Sequence, residues 1–195
     1  MRRKLSALGG VAAIALLATA MLAAPAGAKT KTKTKTLSNA TPVAIPDAGP
    51  PPDEIPGAVF DDIGIGKKGI VKDINVGVQI THPDTSELEL WLLKGDEPIP
   101  LSLNNSGPGA DDDNFGSGTG CVGGMTVFDG AAPLRLFNAN NPFDGSFRPD
   151  ADDLPLGVYN GGQLKGTWRL LVIDESNLQT GTITCFQLTA RYKKQ

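Results

Sequence analysis

The chain has one histidine, His82, and two cysteines, Cys121 and Cys185, so nucleophilic chemistry would have to be built from very few parts. A serine hydrolase needs an imidazole placed to take the serine proton. His82 is the sole candidate, and it stands at the end of an alternating apolar run, just before Pro83. Neither Gly-x-Ser-x-Gly nor Gly-Thr-Ser occurs in the sequence. Acids are plentiful enough for a glycosidase pair, but their spacing singles none out, and aromatics make up only 6% of the chain. The sequence therefore assigns no catalytic residue. His82 reads instead as a hydrogen-bonding turn residue.

Metal chemistry divides by ligand type. Zinc is disfavoured by the shortage of histidine and free cysteine. Calcium wants six to eight oxygens, which loops rich in carboxylates, amides and free carbonyls can supply. Asp111, Asp112, Asp113 and Asn114 form one such cluster, Asp150, Asp152 and Asp153 another, and Asp129 follows a strand end. None has the Asp-x-Asp-x-Asp-Gly spacing of an EF-hand. Asp111, Asp112, Asp113 and Asp129 are the candidate calcium ligands, against the plainer reading of solvated acidic loops.

The elements that must position these groups are strands. Ile74, Val76, Val78 and Ile80 recur every second residue, as do Leu88, Leu90 and Leu92, which sends each set to one face of an extended strand. His82-Pro83-Asp84 between them predicts a short turn. Further strands are expected at Val59–Ile65, Met125–Phe128, Thr167–Asp174 and Thr182–Tyr192. Short ones are expected near Leu134–Phe137 and Leu154–Val158, and Ile99–Leu103 should be an edge strand because Pro100 interrupts it. No stretch of 12 residues has helical apolar spacing, and 24 glycines and 15 prolines punctuate the runs. An all-β, jelly-roll-like sandwich of about eight strands follows.

Residues 1–28 have the three parts of a secretory signal peptide: Arg2, Arg3 and Lys4, an apolar stretch from Leu8 to Ala24, and Ala26-Gly27-Ala28. No later stretch is apolar enough to span a bilayer. The expected product is a secreted protein of 167 residues, with 15 basic residues against 21 acidic ones. That balance argues against nucleic acid as a partner. Residues 29–57, four Lys-Thr repeats and then a proline-rich run, read as a disordered lead-in, and residues 58–192 as the domain. The Lys-Thr repeats could also touch an anionic surface. In an oxidising compartment Cys121 and Cys185 are expected to form a disulfide.

Several segments, in order, resemble one family. Ile70-Val71-Lys72-Asp73-Ile74-Asn75-Val76, then Ile80-Thr81-His82 and Glu87-Leu88-Glu89-Leu90, resemble its opening signature. Phe143-Asp144-Gly145-Ser146-Phe147-Arg148-Pro149 is similar to its "F-x-G-x-y-x-P" segment. Gly166-Thr167-Trp168-Arg169-Leu170 with Val172 and Asp174 is similar to "G-t-W-x-L-x-V-x-D", and Gly181-Thr182-Ile183 with Phe186 and Leu188 to its last strand. The family is the P domain, or Homo B domain, of kexin- and furin-like proprotein convertases, and the resemblance runs over residues 45–192. It implies a jelly-roll sandwich that normally follows a subtilisin-like protease domain, stabilises it and contributes no catalytic residue. His82, Asp73, Gly166, Trp168 and Asp174 would be family positions of structural value. Phe186 stands where the family commonly has tryptophan, and the Cys121–Cys185 pair departs from the eukaryotic domains. The partners implied are a separately encoded protease, a cell-surface component or a second copy.

Overall fold

The computed structural model describes residues 31–53, 55–105, 113–150 and 156–195. Ten strands occur among them: β1 (Thr32–Asn39), β2 (Val43–Ile45), β3 (Gly57–Ile65), β4 (Ile70–Thr81), β5 (Leu88–Lys94), β6 (Glu97–Leu103), β7 (Thr126–Asp129), β8 (Gly145–Phe147), β9 (Gly166–Asp174) and β10 (Gly181–Lys193). They form two sheets. The larger runs β1-β10-β4-β7-β8, with β2 also paired to β10, and the smaller runs β3-β9-β5-β6. The fold is an all-β sandwich.

Alternation decides what lies between the sheets. Val76, Val78, Ile80, Phe128 and Leu188 face inward from the larger sheet and are fully or almost fully buried. Leu88, Leu90, Leu92, Leu170, Val172 and Trp168 meet them from the smaller sheet, all at 0% exposure. Sheet-on-sheet burial of this kind is the main source of stability in such a fold. Pro98 and Pro100 place β6 at an edge, as expected, because proline offers no amide to a further neighbour.

Four expectations change. The Lys-Thr tract is not a free tail: β1 pairs antiparallel with β10 from Thr32↔Lys193 to Asn39↔Phe186. A composition argument looks for apolar side chains, but an edge strand can be held by its backbone ladder, and threonine suits a pleated surface. Leu37 alone in β1 packs on the core cluster, while lysines on an edge discourage further pairing. β2 then pairs with the other end of β10. Second, the short turn expected after β4 continues into the 3-10 turn Thr85–Glu87 and carries the chain from one sheet to the other, where β5 lies. Third, Leu136–Asn138 and Leu156–Tyr159 are 3-10 turns rather than strands. Fourth, the strand count is ten, since the Gly145–Phe147 strand and the two N-terminal strands join those foreseen.

The signal segment lies outside the described residues. No helix among the described residues is long and apolar enough to cross a membrane. Cys121 and Cys185 form a disulfide with Cα atoms 5.1 Å apart, which fits an oxidising compartment.

Candidate functional site

Two regions have unusual chemistry: the crossing from β4 to β5, and the outer face of the smaller sheet.

His82 leaves β4 at the crossing and is 1% exposed. Its Nδ1 lies 2.6 Å from the Asp84 carbonyl oxygen, and its Nε2 lies 3.2 Å from Oδ2 of Asp174, the last residue of β9. The ring fits because Gly181 has no side chain; a Cβ there would sit 2.6 Å from His82 Cδ2. Asp84 caps the 3-10 turn by accepting from the Ser86 amide, which fixes where Glu87 leaves it. Glu87 faces the same spot, so that a ligand atom from each of His82, Glu87 and Asp174 lies within 4.8 Å of the others. Burial raises the Asp174 carboxyl above its ordinary range, against hydrogen bonds from the Ser176 amide and His82. Burial raises Glu87 as well, against a hydrogen bond with Ser176. Both ring nitrogens of His82 are engaged. A serine-activating base needs one of them free to take the hydroxyl proton.

The outer face of the smaller sheet should carry polar side chains if it met only water. It does not. Register aligns Phe60 with Leu171, Leu171 with Trp91, and Trp91 with Pro100, an unbroken apolar row across all four strands. The next row is Ala58, Ile173, Glu89 and Leu103, and the other neighbour is Asp62, Arg169, Leu93 and Pro98. The polar members are satisfied within the face. Arg169 donates from Nε and Nη2 to the two Asp62 carboxylate oxygens, each at 2.7 Å, and its guanidinium lies 4.6 Å from the Phe60 ring centroid. Trp91 Nε1 donates to Glu89 Oε2 at 3.0 Å. Phe60 is 50% exposed. At one end the face opens into a concavity of about 220 Å³ lined by Leu93, Gly95, Thr167 and Arg169.

The residues singled out in the sequence fall in different places. Asp111, Asp112, Asp152 and Asp153 lie outside the described residues. Asp113 is exposed and accepts from the Asn114 side chain, and the Asn114 amide donates to the His82 carbonyl. Asp129 lies opposite Asn75 and accepts from its amide. Asn75 and His82 are seven residues apart along an extended chain, which sets Asp113 and Asp129 about 20 Å apart. The fold thus separates these two candidate calcium ligands. Asp150 Oδ2 accepts from the Leu103 amide and the Asn105 side chain. Asp73 makes a surface pair with Arg191 at 3.7 Å. Trp168 is wholly buried, donates to the Leu164 carbonyl at 3.0 Å and stacks edge-on against Tyr159. Gly166, at φ 127°, leaves room for the Lys94 ammonium where a Cβ would stand.

Sequence reasoning missed Glu87 as a partner of His82 and Asp174, because the contact depends on the change of sheet. It also missed the outer face. The signal was there: Leu170-Leu171-Val172-Ile173 is apolar at both alternating positions, which marks a strand whose two faces both avoid water.

No family model matches the chain, and no curated protein matches it. Among solved structures, a chain of the Aeromonas sobria serine protease (ASP) and chaperone (ORF2) complex is similar, with a TM-score of 0.46 and 14% sequence identity. The match covers 85% of this chain and 28% of that one.

Proposed function

We infer that the chain is a secreted, non-catalytic β-sandwich module that works by binding a protein partner through the outer face of its smaller sheet. The observation that carries this reading is the row Phe60–Leu171–Trp91–Pro100, apolar from edge to edge. The row is part-buried, with Phe60 half exposed; leaving apolar area in water costs about 25 cal/mol per Å², and the Asp62–Arg169 bridge supplies a polar rim. Trp91 and Phe60 are the anchors of the kind that dominate interface energetics. His82, buried and bonded at both ring nitrogens, supports a structural rather than a catalytic use.

The second reading narrows the partner to a separately encoded subtilisin-like protease, for which the module would be an accessory in proteolysis. The resemblance of the Gly166–Asp174 and Phe143–Pro149 segments to P domains favours it. The test is binding of the purified exported protein to a co-secreted subtilisin-like protease, measured by calorimetry with the wild type and with Trp91→Ala. The expected result is a saturable complex that Trp91→Ala weakens at least tenfold. Wild-type protein that neither binds the protease nor self-associates would overturn the reading, as would a complex indifferent to Trp91→Ala. Peptide hydrolysis by the isolated chain, abolished by His82→Ala, would overturn its non-catalytic part.

A further inference from the structure

The crossing between the sheets brings one imidazole and two carboxylates to one point, with one carboxylate oxygen left unpartnered. The side chains of His82 and Asp174 are both at 0% exposure. Nδ1 of His82 contacts the Asp84 backbone, 2.6 Å from its carbonyl oxygen and 3.1 Å from its amide nitrogen. Nε2 faces Asp174 Oδ2, 3.2 Å away.

Glu87 turns toward the same point, and its Oε2 is buried with no hydrogen-bond donor. The contact between His82 and Asp174 leaves Glu87 Oε2 without a partner. A divalent cation meets Nε2 and both carboxylates at once.

We propose that His82 Nε2, Glu87 Oε2 and Asp174 Oδ2 form a binding site for a divalent transition-metal ion of the zinc class, which ties β4 and β5 to β9 across the two sheets. The donor set is one imidazole and two carboxylates. Zinc takes such ligands at roughly 2.0–2.2 Å with four-fold coordination, leaving one position to water. Calcium, which wants six to eight oxygens, is the wrong ion for it. The contact of Nδ1 with the Asp84 backbone is the kind of outer contact that orients a metal-binding histidine. The site lies away from the outer face of the smaller sheet, so its failure and the failure of the binding role are separable.

The chain has a single histidine, so any imidazole ligation reports on His82. Untagged, exported protein is stripped with a chelator and titrated with zinc by calorimetry, and with cobalt by visible absorption. Ring-nitrogen NMR is recorded before and after zinc. The expected result is one equivalent of zinc, a shift of the His82 Nε2 resonance, and affinity reduced at least tenfold in Glu87→Gln. The metal-free melting temperature of Glu87→Gln should match that of the wild type. Three results would each overturn the proposal: no zinc or cobalt bound by folded wild-type protein, undiminished affinity in Glu87→Gln, or both ring nitrogens protonated in excess zinc. Displacement of zinc by equimolar calcium would overturn the choice of ion.

Discussion

The two outer faces of this sandwich are built from opposite chemistry. Across the larger sheet, register sets Thr36 beside Thr189, Asn75 and Asp129, and Ser38 beside Gln187, Gly77 and Val127. These groups bond one another: the Thr36 and Thr189 hydroxyls lie 3.0 Å apart, and Gln187 donates to Ser38. Part of the same face is covered by the chain's own loop, held by Cys121–Cys185 and by Gln79 donating to the Gly124 carbonyl. Across the smaller sheet, the corresponding row is Phe60, Leu171, Trp91 and Pro100, with Phe60 half exposed. One face is finished by the protein itself, and on the other an apolar row reaches the surface. The proposed binding role rests on that difference, on a fold whose core would be the same either way.

The largest effect expected from testing this contrast is on the covered face. Reduction of Cys121–Cys185 releases a loop closed over 64 residues. It should cost about 4 kcal/mol of unfolding free energy, measured by denaturant titration with and without reductant. An unchanged midpoint would mean that the loop is held without it. On the open face, Trp91→Ala should weaken partner binding by about 2 kcal/mol while unfolding stays cooperative. Between the faces, Asp61 is buried, accepts from Asn39 and has a second carboxylate oxygen with no partner. Burial raises its carboxyl above the ordinary range, against the Asn39 hydrogen bond. The native state therefore keeps this proton to higher pH than the unfolded chain does. Its contribution is most favourable below the ordinary carboxylate range and is lost as pH climbs through the raised native value. Asp61→Asn should flatten that part of the stability–pH curve and alter stability at pH 7 by about 1 kcal/mol. The smallest effect should come from Thr36→Ala with Thr189→Ala, within about 0.5 kcal/mol in stability and with no change in partner affinity. A lost partner there would reverse the assignment of the two faces.

Much of the sandwich was legible in the sequence, because a period of two is a local property of strands such as Ile74–Ile80 and Leu88–Leu92. The edge position of β6 followed from Pro100. β1 was not legible, because its eight residues are held by a ladder to β10, more than 140 positions away. At the candidate sites, His82 could be recognised as a turn residue, but not as a neighbour of Glu87. Asp113 and Asp129 were both candidate calcium ligands, and they lie at different points along β4.

By itself the sequence determined that strands would form, that one imidazole and one cysteine pair were available, and which side chains would seek the interior. These follow from residue type and spacing along the chain. Only the tertiary structure decided that β4 and β5 would part into different sheets, that His82, Glu87 and Asp174 would converge, and that Phe60, Leu171, Trp91 and Pro100 would line up. Each of those depends on register between strands distant in sequence, and register is settled by which faces can be buried together.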